Sequence, residues 1–135
     1  IPSMLVVLGA IIVLMSQAEA GSLSDVDNKV TGGAEVKPGE VPFLVSLKIN
    51  TPGKQFRCGG SIIDDRHIIT AAHCVYRSIA VGVKLGCHKI SKCKRWLEID
   101  RYWIHHKYID DQVPLVNDIA ILRMKDLINF TDLIK

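Results

Sequence analysis

Aromatic residues are scarce in this sequence, at 6% of 135 positions, and cysteines number only four. Long apolar stretches are also missing. The longest unbroken run, residues 4–15, has twelve positions. That is too short to cross a bilayer, so no stable membrane anchor is expected. Charge of one sign hardly accumulates: 17 basic residues face 14 acidic ones, for a net charge of +3. Removing residues 1–29 leaves 16 basic and 11 acidic residues, or +5. The densest basic cluster, residues 89–95, is interrupted by Ile90, Ser91 and Cys93 and has no interleaved aromatics. It reads as a solvated loop, and no nucleic-acid partner is expected. There is no internal repeat and no low-complexity tract. With 48% hydrophobic residues the chain has enough apolar side chains for a packed core, and its length suits one domain.

The apolar run has the length of a signal-peptide core. Ala18-Glu19-Ala20 then places small residues at the two positions a signal peptidase reads, so cleavage is expected after Ala20 and residues 1–20 read as a signal peptide. The chain opens on Ile1 with no basic residue ahead of the run, so this end reads as truncated. Secretion to the extracellular space makes Cys58, Cys74, Cys87 and Cys93 candidates for disulfides rather than metal thiolates. Four cysteines allow three pairings. Cys58 with Cys74 and Cys87 with Cys93 is the one in which both loops are local. Residues 21–29 are polar and aperiodic and read as a flexible propeptide. The Lys29–Val30 bond behind it suits a trypsin-like processing protease, and Gly32 and Gly33 permit unusual backbone shapes just beyond it.

From residue 41 the pattern is that of strands. Val41, Phe43, Val45, Leu47 and Ile49 alternate with other residues. Residues 50–54, with Pro52 and Gly53, read as a turn, and residues 56–63 as the return arm of a hairpin. Further strands are expected over 67–72, over 79–85, over 96–104 and over 119–124, the last buried on both faces. Turn signals recur about every ten residues and no sustained 3.6-residue period follows the signal, which predicts an all-β sandwich or barrel.

Two residues suggest chemistry. His73 ends the apolar strand after Thr70-Ala71-Ala72, and Asp118 introduces the strand Ile119-Ala120-Ile121-Leu122. An imidazole is a good general base when a carboxylate holds its far nitrogen and stabilises the cation formed on proton transfer. Asp118 has the right residue type and setting for that carboxylate.

Thr70-Ala71-Ala72-His73-Cys74, Cys58-Gly59-Gly60-Ser61-Ile62-Ile63, Asn117-Asp118-Ile119-Ala120-Ile121-Leu122 and Val30-Thr31-Gly32-Gly33 occur in an order and spacing that resemble the chymotrypsin-like (trypsin-family) serine proteases. The resemblance runs from Lys29 to the last residue and covers the N-terminal half of that family's domain. It implies an antiparallel six-stranded barrel over residues 30–135, the first of two, with the active site between them. It implies a secreted zymogen cut after Lys29, whose new terminus at Val30 inserts beside the nucleophile. His73 would be general base then acid, oriented by Asp118 and serving a serine in peptide-bond hydrolysis through an acyl-enzyme. Cys58 would bridge to Cys74. Residues 104–108 resemble the segment bordering the substrate cleft. Partners would be protein or peptide substrates and protein protease inhibitors.

Three departures stand out. The nucleophile motif Gly-Asp-Ser-Gly-Gly is absent from these 135 residues, so the chain reads as an incomplete enzyme, inactive alone. Cys87 stands where calcium-binding members place a carboxylate ligand, and a sulfur is a poor ligand for calcium, so no metal is expected there. A Cys87–Cys93 bridge would staple that loop, although either cysteine could pair outside this stretch. Finally, the propeptide has no cysteine to tether it. His88, His105 and His106 match no zinc spacing, and no cofactor is expected. Asn129-Phe130-Thr131 is a glycosylation sequon. Two other readings are a non-catalytic protease homologue acting as a binding or adaptor protein, and an unrelated small disulfide-rich β domain.

Overall fold

Alternation of apolar and polar residues decides the first strand. In β1 (Leu44–Thr51) Val45, Leu47 and Ile49 are buried, while Ser46, Lys48 and Asn50 lie on the other face. The computed structural model describes residues 32–93 and 95–135. The expected signal peptide (1–20), propeptide (21–29) and Lys29–Val30 bond lie outside the described residues. Residues 35–135 form one unit.

β1 turns through Pro52 and Gly53 into β2 (Lys54–Ile62), with Gly53 at a φ of 94° that favours glycine. β3 (His67–Thr70) and a single helical turn, α1 (Ala72–Val75), follow. β4 (Ala80–Leu85), β5 (Leu97–Ile104) and β6 (Ala120–Met124) complete the set. The strands close into an antiparallel barrel in the order β1-β2-β3-β6-β5-β4. Closure comes from β1 pairing with β4, where Leu47 faces Val83 and Ile49 faces Val81. All-β architecture is what the strand pattern predicts, and a six-stranded antiparallel barrel is what the family resemblance implies.

The core is aliphatic, with Leu47, Ile49, Ile68, Leu122 and Met124 almost wholly enclosed. β5 carries a bulge between Ile99 and Arg101. Leu97 and Ile99 pack inward ahead of it and Tyr102 and Ile104 beyond it, so the extra residue resets the two-residue period in mid-strand.

Two expectations need correction. The strand over 67–72 ends at Thr70, and His73 and Cys74 ride on α1 rather than on a strand end. The strand over 119–124 is not buried on both faces: Ile119 is exposed and Ile121 and Arg123 are half-exposed, because every strand of a closed barrel has an outer side. Arg123 projects there and holds Asp100 of β5 through Nε at 2.9 Å and Nη2 at 2.7 Å.

Gly60 marks the tightest approach between strands. A Cβ there would lie 2.9 Å from both the Ile69 carbonyl oxygen and Ile68 Cγ2, and 3.2 Å from Val45 Cγ2. Gly60→Ala therefore forces β2 and β3 apart. It is expected to destabilise the full-length protein by roughly 1–3 kcal/mol, read as a lowered urea midpoint.

Candidate active site

The barrel brings the two ends of the chemistry together through strand register. Thr70, the last residue of β3, pairs with Ala120, the first of β6. His73 leaves β3 by way of α1 and Asp118 enters β6 from the other direction, so register alone sets them on one barrel end. The helical turn then aims both the ring and the backbone N–H of His73 at Asp118.

The contact is twofold. His73 Nδ1 lies 2.7 Å from Asp118 Oδ2, and the His73 backbone N–H donates to Asp118 Oδ1 at 2.8 Å. Asp118 is 20% exposed at its side chain and His73 is 49% exposed. Burial pushes the Asp118 carboxyl upward, but the hydrogen bond from the His73 backbone, the His73 ring and the Ala72 backbone N–H outweigh it and hold the group below the usual carboxylate range. Asp118 is thus ionised near neutral pH and presents one oxygen to Nδ1, while Nε2 lies 3.6 Å from Cys74 Sγ.

A folded-state pKa below the unfolded one stabilises the fold above the ordinary carboxylate range, and that stability is lost as pH falls through the lowered value. Asp118→Asn removes the titrating group. Below about pH 4, the urea midpoint of the full-length Asn variant is expected to fall less steeply with acid than that of the parent. Parallel acid limbs would show that Asp118 is not held ionised by its neighbours.

Local structure around the pair explains its placement. Asn117 adopts a left-handed φ of 56°, which asparagine tolerates better than most residues. Its side-chain amide donates to the Lys107 carbonyl at 3.1 Å, and the Ile119 N–H closes on the Asn117 carbonyl at 2.9 Å across Asp118. Thr70 Oγ1 donates to the Gly59 carbonyl at 2.7 Å, tying β3 to β2 beside α1. Tyr108 stands edge-on to Tyr76, 5.7 Å between ring centres, and its hydroxyl donates to Asp110 Oδ1 at 2.9 Å. Burial, reinforced by Asp110, pushes the Tyr108 phenol up to about 12, so it remains a donor at any working pH. None of the roles of Thr70, Asn117 and Tyr108 was read from the sequence. Asparagine directly before the acid was the one available sign, since it is suited to a left-handed turn.

Cys58 bonds to Cys74, which locks α1 onto β2 directly beside His73, and Cys87 bonds to Cys93 in the loop after β4. The second bridge lies beyond the Leu85 end of β4, near the end of the barrel opposite His73. Cys58, His73 and Cys74 offer three potential metal-binding atoms within 4.8 Å of one another, but both sulfurs are committed to the disulfide and neither is a thiolate. Asn129 is exposed, just ahead of the tight turn in which Thr131 and Ile134 exchange backbone hydrogen bonds. His88 reaches Glu35 at 3.0 Å, while the rings of His105 and His106 stack 4.8 Å apart. The three therefore share no common site.

Among the described residues no helix is long and apolar enough to cross a membrane. Residues 30–135 match the family model described as Trypsin. A chymotrypsin from Phaedon cochleariae is 32% identical over 106 residues, covering 76% of this chain and 38% of that protein. Among solved structures, HL collagenase superposes with a TM-score of 0.70 at 30% identity, over 77% of this chain and 44% of its own. GrC superposes with a TM-score of 0.68 at 28% identity, over 77% and 46%. The chain thus spans less than half the length of the relatives it matches. A closed six-stranded barrel, a histidine and an aspartate joined at its end, and a family match over residues 30–135 lead to one conclusion: the chain belongs to the trypsin family of serine proteases.

Proposed function

We propose that the full-length protein is a secreted serine endopeptidase, made as a zymogen and activated by cleavage between Lys29 and Val30. The observation that carries this reading is the double contact of Asp118 with His73, at 2.7 Å to the ring and 2.8 Å to the backbone. The carboxylate fixes the tautomer with the proton on Nδ1, so Nε2 is free to take the proton of a serine hydroxyl as it attacks a peptide carbonyl. The same nitrogen then delivers that proton to the leaving amine, and a water repeats the cycle on the acyl-enzyme. The serine, its oxyanion donors and the specificity pocket belong to a second barrel outside these 135 residues. Ile109, Leu115, Val116 and Ile119 present exposed apolar side chains on the approach to Asp118, a surface suited to a partner barrel and a peptide substrate. The freed Val30 amine pairs with an acid beside the serine and orders the oxyanion hole. Substrates are proteins or peptides, protein protease inhibitors occupy the same cleft, and Asn129 carries an N-linked glycan.

Fluorophosphonate labelling of the full-length gene product tests the reading. Labelling is expected after cleavage at Lys29 and only weakly before it. A cleaved, folded protein that takes no label would overturn the enzyme assignment in favour of a non-catalytic homologue with a binding or adaptor role.

A further inference from the structure

We propose that the outer face of β1, β2 and β4 is a docking surface for an acidic polypeptide segment. Trp96, just ahead of β5, packs its ring against Gly82, where an added Cβ would meet the Trp96 side chain at 3.3 Å. Three cations from three strands converge on that one ring: Lys84 Nζ at 4.5 Å from its centre, Lys48 Nζ at 5.0 Å and the Arg57 guanidinium at 5.4 Å. Lys48 and Arg57 are direct cross-strand partners. Like charges in that arrangement destabilise a sheet, and the attraction of each for the indole offsets only part of the cost.

Among the described residues the cluster has no anion of its own. The ion pairs among the described residues join other groups, and none reaches Lys48, Arg57 or Lys84. Lys84 is only 9% exposed, yet its ammonium is met by a carbonyl, that of Ile90, at 2.9 Å rather than by a carboxylate. That bond ties the loop after β4 to the strand, and Lys89 and Lys92 in that loop are exposed. Uncompensated like charge, held in place at a cost to the fold, is the pattern of a binding surface.

The scale of the patch selects the occupant. The three cations lie on adjacent strands and converge on one indole, a compact cationic spot whose charge complements the clustered carboxylates of an acidic peptide. A linear polysaccharide would call for a longer basic track. Arg57 immediately precedes Cys58, which is bonded to Cys74 beside His73. The patch therefore lies on the barrel wall between the catalytic end and the Cys87 loop, and an acidic stretch of a protein substrate can dock there while another part of the same chain occupies the cleft. That last consequence rests on the proposed protease activity; the binding does not.

Binding is tested on the uncleaved full-length protein, by fluorescence anisotropy of a labelled ten-residue peptide rich in Asp and Glu. The peptide is expected to bind, to weaken as salt rises from roughly 0.05 M to roughly 0.3 M, and to lose about tenfold in affinity to the K48Q/R57Q variant. An R101Q control, on β5, is expected to bind as the parent does. If the double variant does not fold, R57Q alone carries the test, with an expected loss of about threefold. Equal affinity for parent and variant overturns the proposal, as does equal binding of a peptide with Gln and Asn in place of the acids. So does a sulfated polysaccharide that binds this face while the acidic peptide does not. Because the zymogen is used, failed fluorophosphonate labelling leaves this result intact, and failed binding leaves the protease reading intact.

Discussion

Replacing His73 by alanine in the full-length, Lys29-cleaved protein is expected to lower kcat for peptide-bond hydrolysis by roughly 10⁴- to 10⁶-fold, with KM little changed. The imidazole is needed only as the proton moves, so its loss falls on the transition state rather than on substrate binding. Asp118→Asn separates position from charge. The asparagine oxygen still accepts the His73 backbone N–H now held at 2.8 Å, while its amide takes the place of the oxygen 2.7 Å from Nδ1. An amide donor there turns Nδ1 into an acceptor and moves the ring proton to Nε2, where the base is needed bare. The expected loss is roughly 10⁴-fold in kcat, the scale known for this change in serine-protease triads. Steady-state kinetics on one peptide substrate checks both variants. A loss below tenfold in either would mean that the His73–Asp118 contact is structural only.

Breaking the Cys58–Cys74 disulfide is expected to cost the full-length protein about 3 kcal/mol of stability. The bond closes a loop of 16 residues, and cross-linking removes the freedom that loop would have in the unfolded chain. The Cys87–Cys93 bridge closes a loop of only 6, so the same reasoning gives a smaller loss of about 2 kcal/mol. The paired variants C58A/C74A and C87A/C93A are compared by urea denaturation, where the first is expected to shift the midpoint further. Function separates them more sharply. Cys74 sits in the single turn that aims His73, whereas the Cys87 loop lies near the other end of the barrel. C58A/C74A is therefore expected to reduce kcat even under conditions where it is fully folded, and C87A/C93A to leave it near the parent value. The reverse order of effects on either measure would show that α1 is held in place by packing alone.

Much of the barrel was legible because the two-residue period is a local property. Val45, Leu47 and Ile49 announce their inward face without reference to any other part of the chain. The same rule misjudged residues 119–124, where Ile119 and Ile121 read as buried on both sides and lie partly in solvent. Hydrophobicity alone does not state which side of a curved sheet is outside. β5 is a second case: its bulge moves the inward residues from odd to even positions at Asp100, and no residue type announces that.

The site divides in the same way. His73 and Asp118 were named from residue type, order and family resemblance, and the separation of 45 positions held no geometric information. The three-strand cation cluster was invisible in the sequence, where Lys48, Arg57 and Lys84 stand well apart and only residues 89–95 look basic.

From sequence by itself came the strand period, the cysteines able to pair, and an imidazole and a carboxylate with the motifs of a trypsin-family domain. Each depends on residue identity and near neighbours. Tertiary structure alone decided that α1 rather than a strand carries the base, and that three cations share one indole. Those outcomes depend on which strands pair and in what register, and pairing between distant segments is settled by closure of the whole barrel rather than by any segment within it.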